Sequence, residues 1–320
     1  MTDHCYIAFG LRVRSSWPIP ALAESEAPFD GPPDVDIVAA SVPVPATVQD
    51  VDGLKVNVNG KAAFLDIEEC GRFEIVEGRT IRVEPESGAT TEQVNLYLLG
   101  SVFGMLLHQR KLIPFHCNAV EIDGSALLFC GDSGAGKSTL AAHFIERGFR
   151  LLGDDLCALS FGPGGQVLAT PGAARLKLWQ DTLEEFGRSR AGLKLLPWYE
   201  DKFEVPLSVT GWAQSVPVAG IYHLRIAENG RPPGIHALKG LESANAVTAN
   251  IYRRRLADLS GATQFYLAAT ARIVETVPTF TINRNWGFAH FYNQVRQLEE
   301  HMHGIVEEHA RIGGKRVEST

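Results

Sequence analysis

The chain has 320 residues, of which 45% are hydrophobic and 21% charged, and its net charge at neutral pH is −7. This composition excludes a disordered chain and is typical of a globular protein with one large domain or two smaller ones. The acidic balance argues against a surface that coats nucleic acid, because such a surface needs a clustered excess of Lys and Arg. We therefore expect no nucleic-acid partner, and any phosphate site must be local.

The sequence shows no segment that would direct the chain to a membrane or to secretion. The N-terminus carries Asp3 and His4 and lacks a basic segment followed by an apolar one. The longest apolar stretch, Leu96 to Leu107, has about 12 residues against the ~20 that span a bilayer. The five cysteines are scattered and show no Cys-x-x-Cys pair, which predicts reduced thiols. We expect a cytoplasmic protein.

Short alternating runs between Tyr6 and Glu84 predict a small β-rich N-terminal domain, residues 1–89. Asn59-Gly60 between two such runs predicts a hairpin, since both residues tolerate the positive φ that tight hairpin turns require. The Pro-rich stretch from Pro18 to Pro45 is typical of loop and irregular connection.

A second domain, residues 90–312, is predicted to begin with a helix. Thr90 to Gln93 has the pattern of a capping box, and apolar residues follow at helical spacing as far as His108. Strands and helices then alternate, which predicts an α/β core. A final amphipathic helix follows, and residues 313–320 are expected to form a flexible tail. Three tryptophans of this region are predicted to lie in the core: Trp179, Trp198 and Trp286.

A glycine-rich loop lies between an apolar run, residues 126–130, and a predicted helix that ends at Gly148. Its glycines let backbone N–H groups surround a phosphate, and the start of the helix adds favourable dipole charge. Lys137 is predicted to neutralise the β- and γ-phosphates of ATP, and Ser138 Oγ to bind Mg²⁺. An ordinary helix-capping turn would not call for Lys and Ser here. The predicted nucleotide-binding residues are Gly131, Asp132, Ser133, Gly134, Ala135, Gly136, Lys137, Ser138 and Thr139.

Two adjacent carboxylates, Asp154 and Asp155, follow the next predicted strand. If the helix after the loop connects parallel neighbouring strands, both carboxylates emerge at the same sheet edge as the loop. One of them can hold Mg²⁺ while the other accepts a hydroxyl proton from the phosphoryl acceptor. The residues alone do not decide which of the two carboxylates binds Mg²⁺ and which accepts the proton.

His116 is predicted to flank the loop. The turn at residues 123–124 is a favoured two-residue hairpin turn, so Ile122 should pair with Ser125. Counting outwards from that pair brings His116 opposite Gly131. This position favours a contact with the phosphate or with the acceptor.

Several cations could stabilise charge on a transferring phosphoryl group. Arg253 is the first choice, because it follows an apolar and aromatic pair that should turn one face inward. Arg175 and Lys202 are further candidates. Each of these side chains could instead be an ordinary surface charge.

These residues resemble the HPr kinase/phosphorylase family, and in particular its shorter HPr-kinase-like relatives in bacteria. The similar blocks are residues 114–116, 130–138 and 147–155. The resemblance implies a phosphoenolpyruvate-carboxykinase-like P-loop core, Mg²⁺ dependence, and transfer of the γ-phosphoryl group of ATP to a serine hydroxyl. It also implies that Asp154 is the catalytic base and that Asp155 lies nearer the metal.

The chain departs from HPr kinases proper in carrying Thr139 where they have Glu, and its N-terminal region does not resemble theirs. HPr-kinase-like relatives with a Gly-Lys-Ser-Thr loop occur in lasso-peptide gene clusters and phosphorylate a serine at the C-terminal end of the precursor. By analogy, the leading hypothesis is a kinase for a serine on a peptide or small protein. The alternatives are a nucleotide-binding regulatory ATPase and a kinase for a free small molecule; homo-oligomerisation is left open.

Overall fold

The computed structural model describes residues 3–25, 27–173, 175–207, 214–227 and 232–317. Within these ranges the chain is a mixed α/β protein with two nine-stranded sheets and one three-stranded sheet. The strands of the first sheet are β1 (His4–Ala8), β2 (Leu11–Ser15), β3 (Ala23–Glu24), β4 (Val35–Ala39), β5 (Gln49–Val51), β6 (Leu54–Asn59), β7 (Ala62–Ile67), β8 (Gly71–Val76) and β9 (Thr80–Pro85). Their order is β3-β1-β2-β4-β9-β8-β7-β6-β5.

The predicted hairpin near Asn59 is confirmed, with its turn shifted by one residue. Asn59 pairs with Ala62, so the two loop residues are Gly60 and Lys61. Of these, only Gly60 has a positive φ, 59°. Some two-residue hairpin turns need a positive φ only at their first central residue, and glycine is favoured at that position.

The prediction of loop throughout residues 18–45 is wrong, because β4 lies inside this stretch. It runs parallel to both of its neighbours, β2 and β9. Val35 and Ile37 alternate with polar residues and are fully buried, so the period-2 pattern overrides the flanking prolines.

The predicted helix from Thr91 forms in three parts: α1 (Thr91–Tyr97), a π-helical segment (Leu98–Val102) and α2 (Phe103–Gln109). The capping box between Thr90 and Gln93 is present. The apolar face of these helices shares one hydrophobic core with the first sheet. This core also takes in Leu156 and Leu256, which lie well beyond residue 89. The division at residue 89 stays a prediction.

The second sheet contains β10 (Ile113–Phe115), β11 (Asn118–Ile122), β12 (Ser125–Gly131), β13 (Arg150–Gly153), β14 (Cys157–Phe161), β15 (Val167–Thr170), β19 (Val216–Ile226), β20 (Gly234–Leu238) and β21 (Thr279–Arg284). At its centre β12 runs parallel to β19, and β19 runs parallel to β21. The remaining strands, β16 (Arg175–Trp179), β17 (Lys194–Leu195) and β18 (Lys202–Pro206), form the small sheet in the order β16-β18-β17.

The other helices are α3 (Lys137–Glu146), α4 (Gln180–Glu185), α5 (Gly240–Ala249), α6 (Arg254–Leu259), α7 (Thr263–Thr276) and α8 (Phe288–Val317). The last helix continues past Gly313, where we expected the chain to fray, and residues 318–320 lie outside the described ranges. No helix in the described ranges combines the length and the apolar character needed to cross a membrane. The prediction of buried tryptophans is wrong: the exposed fractions of Trp179, Trp198 and Trp286 are 36%, 48% and 59%.

Candidate active site

The glycine-rich loop connects the buried strand β12 to α3, as the sequence predicts. Gly131 and Gly136 have φ values of 137° and 84°, a region that favours glycine. A Cβ at Gly131 would lie 2.6 Å from the carbonyl oxygen of Leu224, and one at Gly136 would collide with the Arg284 guanidinium. The loop is therefore packed too closely on the backbone of β19 to accept a side chain at Gly131, whereas at Gly136 the positive φ is what disfavours one.

Lys137 begins α3, and its side chain folds back into the loop. Its Nζ donates to the carbonyl oxygens of Gly131 at 2.8 Å and Asp132 at 3.1 Å. Only 7% of the residue is exposed, so the ammonium charge lies inside the loop. On the other side of the loop, Arg284 Nη2 donates to Ala135 O at 2.8 Å. Sequence reasoning missed Arg284, because only the sheet brings the end of β21 to the loop.

The two carboxylates emerge beside the loop, although the strand order differs from the one we assumed. β12 and β13 are parallel, but β11 lies between them and pairs antiparallel with both. The ends of β12 and β13 still share one sheet edge. Ser138 Oγ donates to Asp154 Oδ1 across this edge at 3.3 Å. The predicted juxtaposition of loop serine and carboxylate is therefore present.

Asp154 is 7% exposed, and both of its oxygens accept hydrogen bonds. Oδ1 accepts from Asn118 Nδ2 at 2.7 Å, and Oδ2 accepts from the backbone N–H of Lys177 at 2.7 Å. Burial, together with the neighbouring charge of Asp155, raises the pKa of Asp154 to about 6. This carboxylate is held in one orientation, with little access to solvent.

Asp155 is more open, with 37% of its side chain exposed, and it forms an ion pair with Lys177 Nζ. Its φ is 70°, so the backbone turns sharply between the two acids. Burial alone would raise the pKa of Asp155, but the charge and hydrogen bond of Lys177 lower it overall. His116 and Lys202 also lie close enough to lower this pKa. Asp155 is thus an ionised carboxylate surrounded by cations and an imidazole.

Known proteins support the resemblance seen in the sequence. The chain is 45% identical over 56 residues to an HPr kinase/phosphorylase of Treponema pallidum subsp. pallidum, a match that covers 18% of each chain. It is 48% identical over 56 residues to a phosphoenolpyruvate carboxykinase (ATP) of Brevibacillus brevis, covering 17% of this chain and 10% of that protein. Over these 56 residues the chain is similar to HPr kinase/phosphorylases.

These matches are partial: the alignment spans less than a fifth of the length of the curated HPr kinases. No protein-family model matches the chain. Among solved structures, the HPr(Ser) kinase/phosphatase of Coxiella burnetii is 15% identical with a TM-score of 0.31, covering 62% of this chain and 96% of that one.

His116 reaches the loop through an intermediary. The predicted register holds from Ile122–Ser125 to Asn118–Phe129, where β11 ends two residues short of His116. Asn250 closes the gap: its carbonyl accepts from His116 N at 2.7 Å, and its Oδ1 accepts from Gly131 N at 3.3 Å. Burial and the charge of Lys137 lower the pKa of His116, so its imidazole is neutral at pH 7.

Three other predicted side chains make their polar contacts with residues outside the loop. Arg253 Nη1 donates to the carbonyl oxygen of Asp52 in the turn between β5 and β6, at 3.3 Å. Arg175 is buried in an ion pair with Glu204 at 2.7 Å. Thr139 Oγ1 lies 3.1 Å from the hydroxyl of Thr182 in α4. In the part of the chain that the structure describes, no hydrogen bond or ion pair joins Arg253 or Arg175 to the loop, and the role of Arg253 stays a prediction.

Lys177 and Lys202 lie beside the two carboxylates, where we expected those arginines. Sequence reasoning missed Lys177, because in β16 it is simply a charged residue that alternates with apolar ones. Only the turn at Asp155 brings Asp155 and Lys177 together. Lys202 Nζ lies over the rings of Trp179 and Tyr199, 5.0 and 5.1 Å from their centroids. Burial lowers the pKa of Lys202.

The raised pKa of Asp154 makes a prediction about stability. Below about pH 4 the Asp154 carboxyl is protonated in both the folded and the unfolded chain. Between about pH 4 and 6 it is ionised in the unfolded chain but still largely protonated in the folded one. Its ionisation should therefore cost the unliganded chain roughly 1–3 kcal/mol as pH rises through this window. Asp154→Asn removes this cost, and the new amide can still accept from Lys177 N.

Urea unfolding of both chains without nucleotide or metal, from pH 5 to pH 8, measures the difference. We expect the free energy of unfolding of Asp154→Asn to exceed that of the wild type by a margin that grows from pH 5 to between about pH 6 and 7 and then stays constant up to pH 8. Parallel curves would show that Asp154 ionises without a folding penalty.

Proposed function

We propose that the HPr-kinase-like chain is an Mg²⁺- and ATP-dependent kinase that transfers the γ-phosphoryl group to a serine hydroxyl. The observation that carries this proposal is the 3.3 Å contact between Ser138 Oγ and Asp154, with Asp155 beside it at the same sheet edge. A loop that only binds nucleotide does not require a second, more open carboxylate facing it. Phosphoryl transfer requires groups for both the metal and the acceptor.

The nucleotide's phosphates would bind the backbone N–H groups of residues 131–138, at the start of α3. Lys137 Nζ, now bonded to the carbonyls of Gly131 and Asp132, is placed to exchange these contacts for phosphate oxygens. Arg284, bonded to Ala135 O, stabilises the loop backbone from the opposite side. Since the lysine is already buried within the loop, it needs only a side-chain rotation to reach a phosphate.

The residues present fit Mg²⁺. Ser138 Oγ and Asp154 Oδ1 are hard oxygen donors that lie side by side, and Mg²⁺ usually takes one or two protein ligands together with phosphates and waters. This explains why no cluster of three or more His, Cys, Asp or Glu is needed, and none is found in the described ranges. When bound, the metal neutralises charge on the β- and γ-phosphates.

Asp155 is the better candidate for the catalytic base. A base must reach the acceptor hydroxyl, and the carboxylate of Asp155 is exposed, whereas that of Asp154 is enclosed by three donors. Asp155 would take the hydroxyl proton as the serine oxygen bonds to the γ-phosphorus and the bond to the ADP oxygen breaks. This is the reverse of the assignment that the resemblance implied, in which Asp154 was the base.

Lys177 and Lys202 would stabilise charge on the transferring phosphoryl group, in the role first given to Arg253. Both influence the pKa of Asp155 or Asp154 and therefore lie at the reacting edge. The neutral imidazole of His116 completes this edge and can donate or accept one hydrogen bond.

We infer that the acceptor is a peptide or small protein, with the C-terminal serine of a lasso-peptide precursor as the leading candidate by analogy. The exposed rings of Trp179 and Tyr199 beside Lys202 offer apolar surface for a peptide next to Asp155. In this proposal residues 90–312 form the phosphoenolpyruvate-carboxykinase-like core, and residues 1–89 contribute to acceptor binding in a cytoplasmic protein.

Incubation with γ-labelled ATP and Mg²⁺, followed by mass spectrometry, tests this proposal. Three acceptor sets are compared: precursor-type peptides ending in serine, purified HPr, and a panel of small hydroxyl metabolites. We expect phosphoserine on a peptide. Labelled metabolite would instead indicate a small-molecule kinase, and slow ATP hydrolysis with no labelled acceptor would indicate a regulatory ATPase.

A further inference from the structure

Asn118 is the first residue of β11 and pairs with Phe129 of β12, the strand that leads into the loop. It is 1% exposed. Its Nδ2 donates to Asp154 Oδ1 at 2.7 Å, the same oxygen that accepts from Ser138 Oγ. The side chain of Asn118 therefore forms part of the wall behind the proposed metal ligands.

The other end of this amide has no partner. Among the residues that the structure describes, the buried side-chain atoms without a hydrogen bond are Asn118 Oδ1 and Arg254 Nε. An ionised carboxylate only accepts hydrogen bonds, so the amide nitrogen of Asn118, and not its oxygen, must be the atom that contacts Asp154. Buried polar atoms are nearly always paired, and an unpaired acceptor here calls for a donor that the described part of the chain does not supply.

We propose that Asn118 is a positioning residue of the metal and nucleotide site: its Nδ2 fixes Asp154, and its Oδ1 accepts a hydrogen bond from a water on the bound divalent cation. This inference rests on the proposed function. Mg²⁺ dehydrates reluctantly and keeps several of its waters, which are strong donors. Replacing a group that holds a metal ligand in place without touching the metal commonly changes metal affinity by about 10- to 100-fold.

The sequence motifs of the loop and of the acidic pair did not point to Asn118. It follows Cys117 at the start of a buried strand, where a polar residue with no solvent contact is costly unless it is used. A purely structural asparagine would have both ends of its amide bonded within the protein. Asn95 is such a residue: its Oδ1 accepts from Trp17 and its Nδ2 donates to Pro18 O, each at 2.9 Å.

The test compares Asn118→Val with the wild type and with the matched control Asn95→Ala. Valine suits a buried strand position and removes both hydrogen bonds; Asn118→Ala is the second variant if the valine does not fold. Calorimetry would measure Mn²⁺ binding to the full chain saturated with the non-hydrolysable analogue AMPPNP. A second titration with ADP in EDTA would measure nucleotide affinity without metal.

We expect the Kd for Mn²⁺ to rise about 10- to 100-fold in Asn118→Val, with the metal-free ADP affinity and the Asn95→Ala control within about twofold of the wild type. Unchanged Mn²⁺ affinity would overturn the inference, as would an equal loss of metal-free ADP affinity, which a merely structural role predicts. If the wild type itself binds neither AMPPNP nor ADP, the proposed function fails, and this inference fails with it.

Discussion

Asp155→Asn is expected to lower the rate of phosphoryl transfer by about 10²- to 10⁴-fold, the range that loss of a general base usually costs. The amide is isosteric but cannot accept the hydroxyl proton. Because Asp155 makes its ion pair with Lys177 and no hydrogen bond to the loop, the affinity for Mg²⁺-nucleotide should stay within a few-fold of the wild type. Single-turnover transfer and equilibrium nucleotide binding, measured on the same preparation, separate the two effects.

The informative comparison is Asp154→Asn, which alters the carboxylate bonded to Ser138. If Asp154 holds the metal, this variant should lose Mg²⁺-dependent nucleotide affinity, whereas Asp155→Asn should not. Asp123→Asn, in the exposed turn between β11 and β12, serves as a control with the same change of charge. The opposite result, with normal Mg²⁺-nucleotide binding and no transfer in Asp154→Asn, would restore the assignment that the family resemblance implied.

Lys137→Met is expected to lower kcat/KM by about 10²- to 10³-fold, as for removal of one preorganised charge from a phosphoryl-transfer site. Methionine retains the buried stem of the side chain but not the ammonium that lies among the loop carbonyls. Since that charge is buried, its removal should leave the fold intact. The chain is therefore expected to unfold at the same urea concentration or a higher one.

Steady-state transfer and binding of a fluorescent ATP analogue measure the effect. Lys61→Met is the matched control, because Lys61 is exposed in the turn between β6 and β7 and its side chain forms an ion pair with Glu77. Wild-type kinetics in Lys137→Met would mean that the loop does not hold the transferring phosphates.

The site could be predicted where its residues are close in sequence. The turn at Asp123 and Gly124 has positive φ at both positions, 48° and 74°, and fixes the register up to Asn118. The loop glycines and the acidic pair likewise carry local signals, since backbone conformation and strand direction decide where they point. These predictions depend on a few neighbouring residues and on the period of the strand.

Side chains brought together by the sheet order could not be predicted. Lys177, Asn250 and Arg284 come from a small sheet, a helix end and a distant strand, and nothing local marks them. The same limit explains the choice of Arg253, whose aromatic neighbour Tyr252 does turn inward while the guanidinium binds the N-terminal sheet. The exposed tryptophans were misjudged because large apolar residues are usually buried, and their exposure has no signature in a single sequence.

The most direct test of this account is a crystal structure of the chain with AMPPNP and Mg²⁺. We predict the β- and γ-phosphates on the backbone amides of residues 131–138, the metal bound by Ser138 Oγ and Asp154, and Asp155 facing the γ-phosphate from the acceptor side. Phosphates bound elsewhere, or a metal held by Asp155 with Asp154 facing the acceptor, would contradict it.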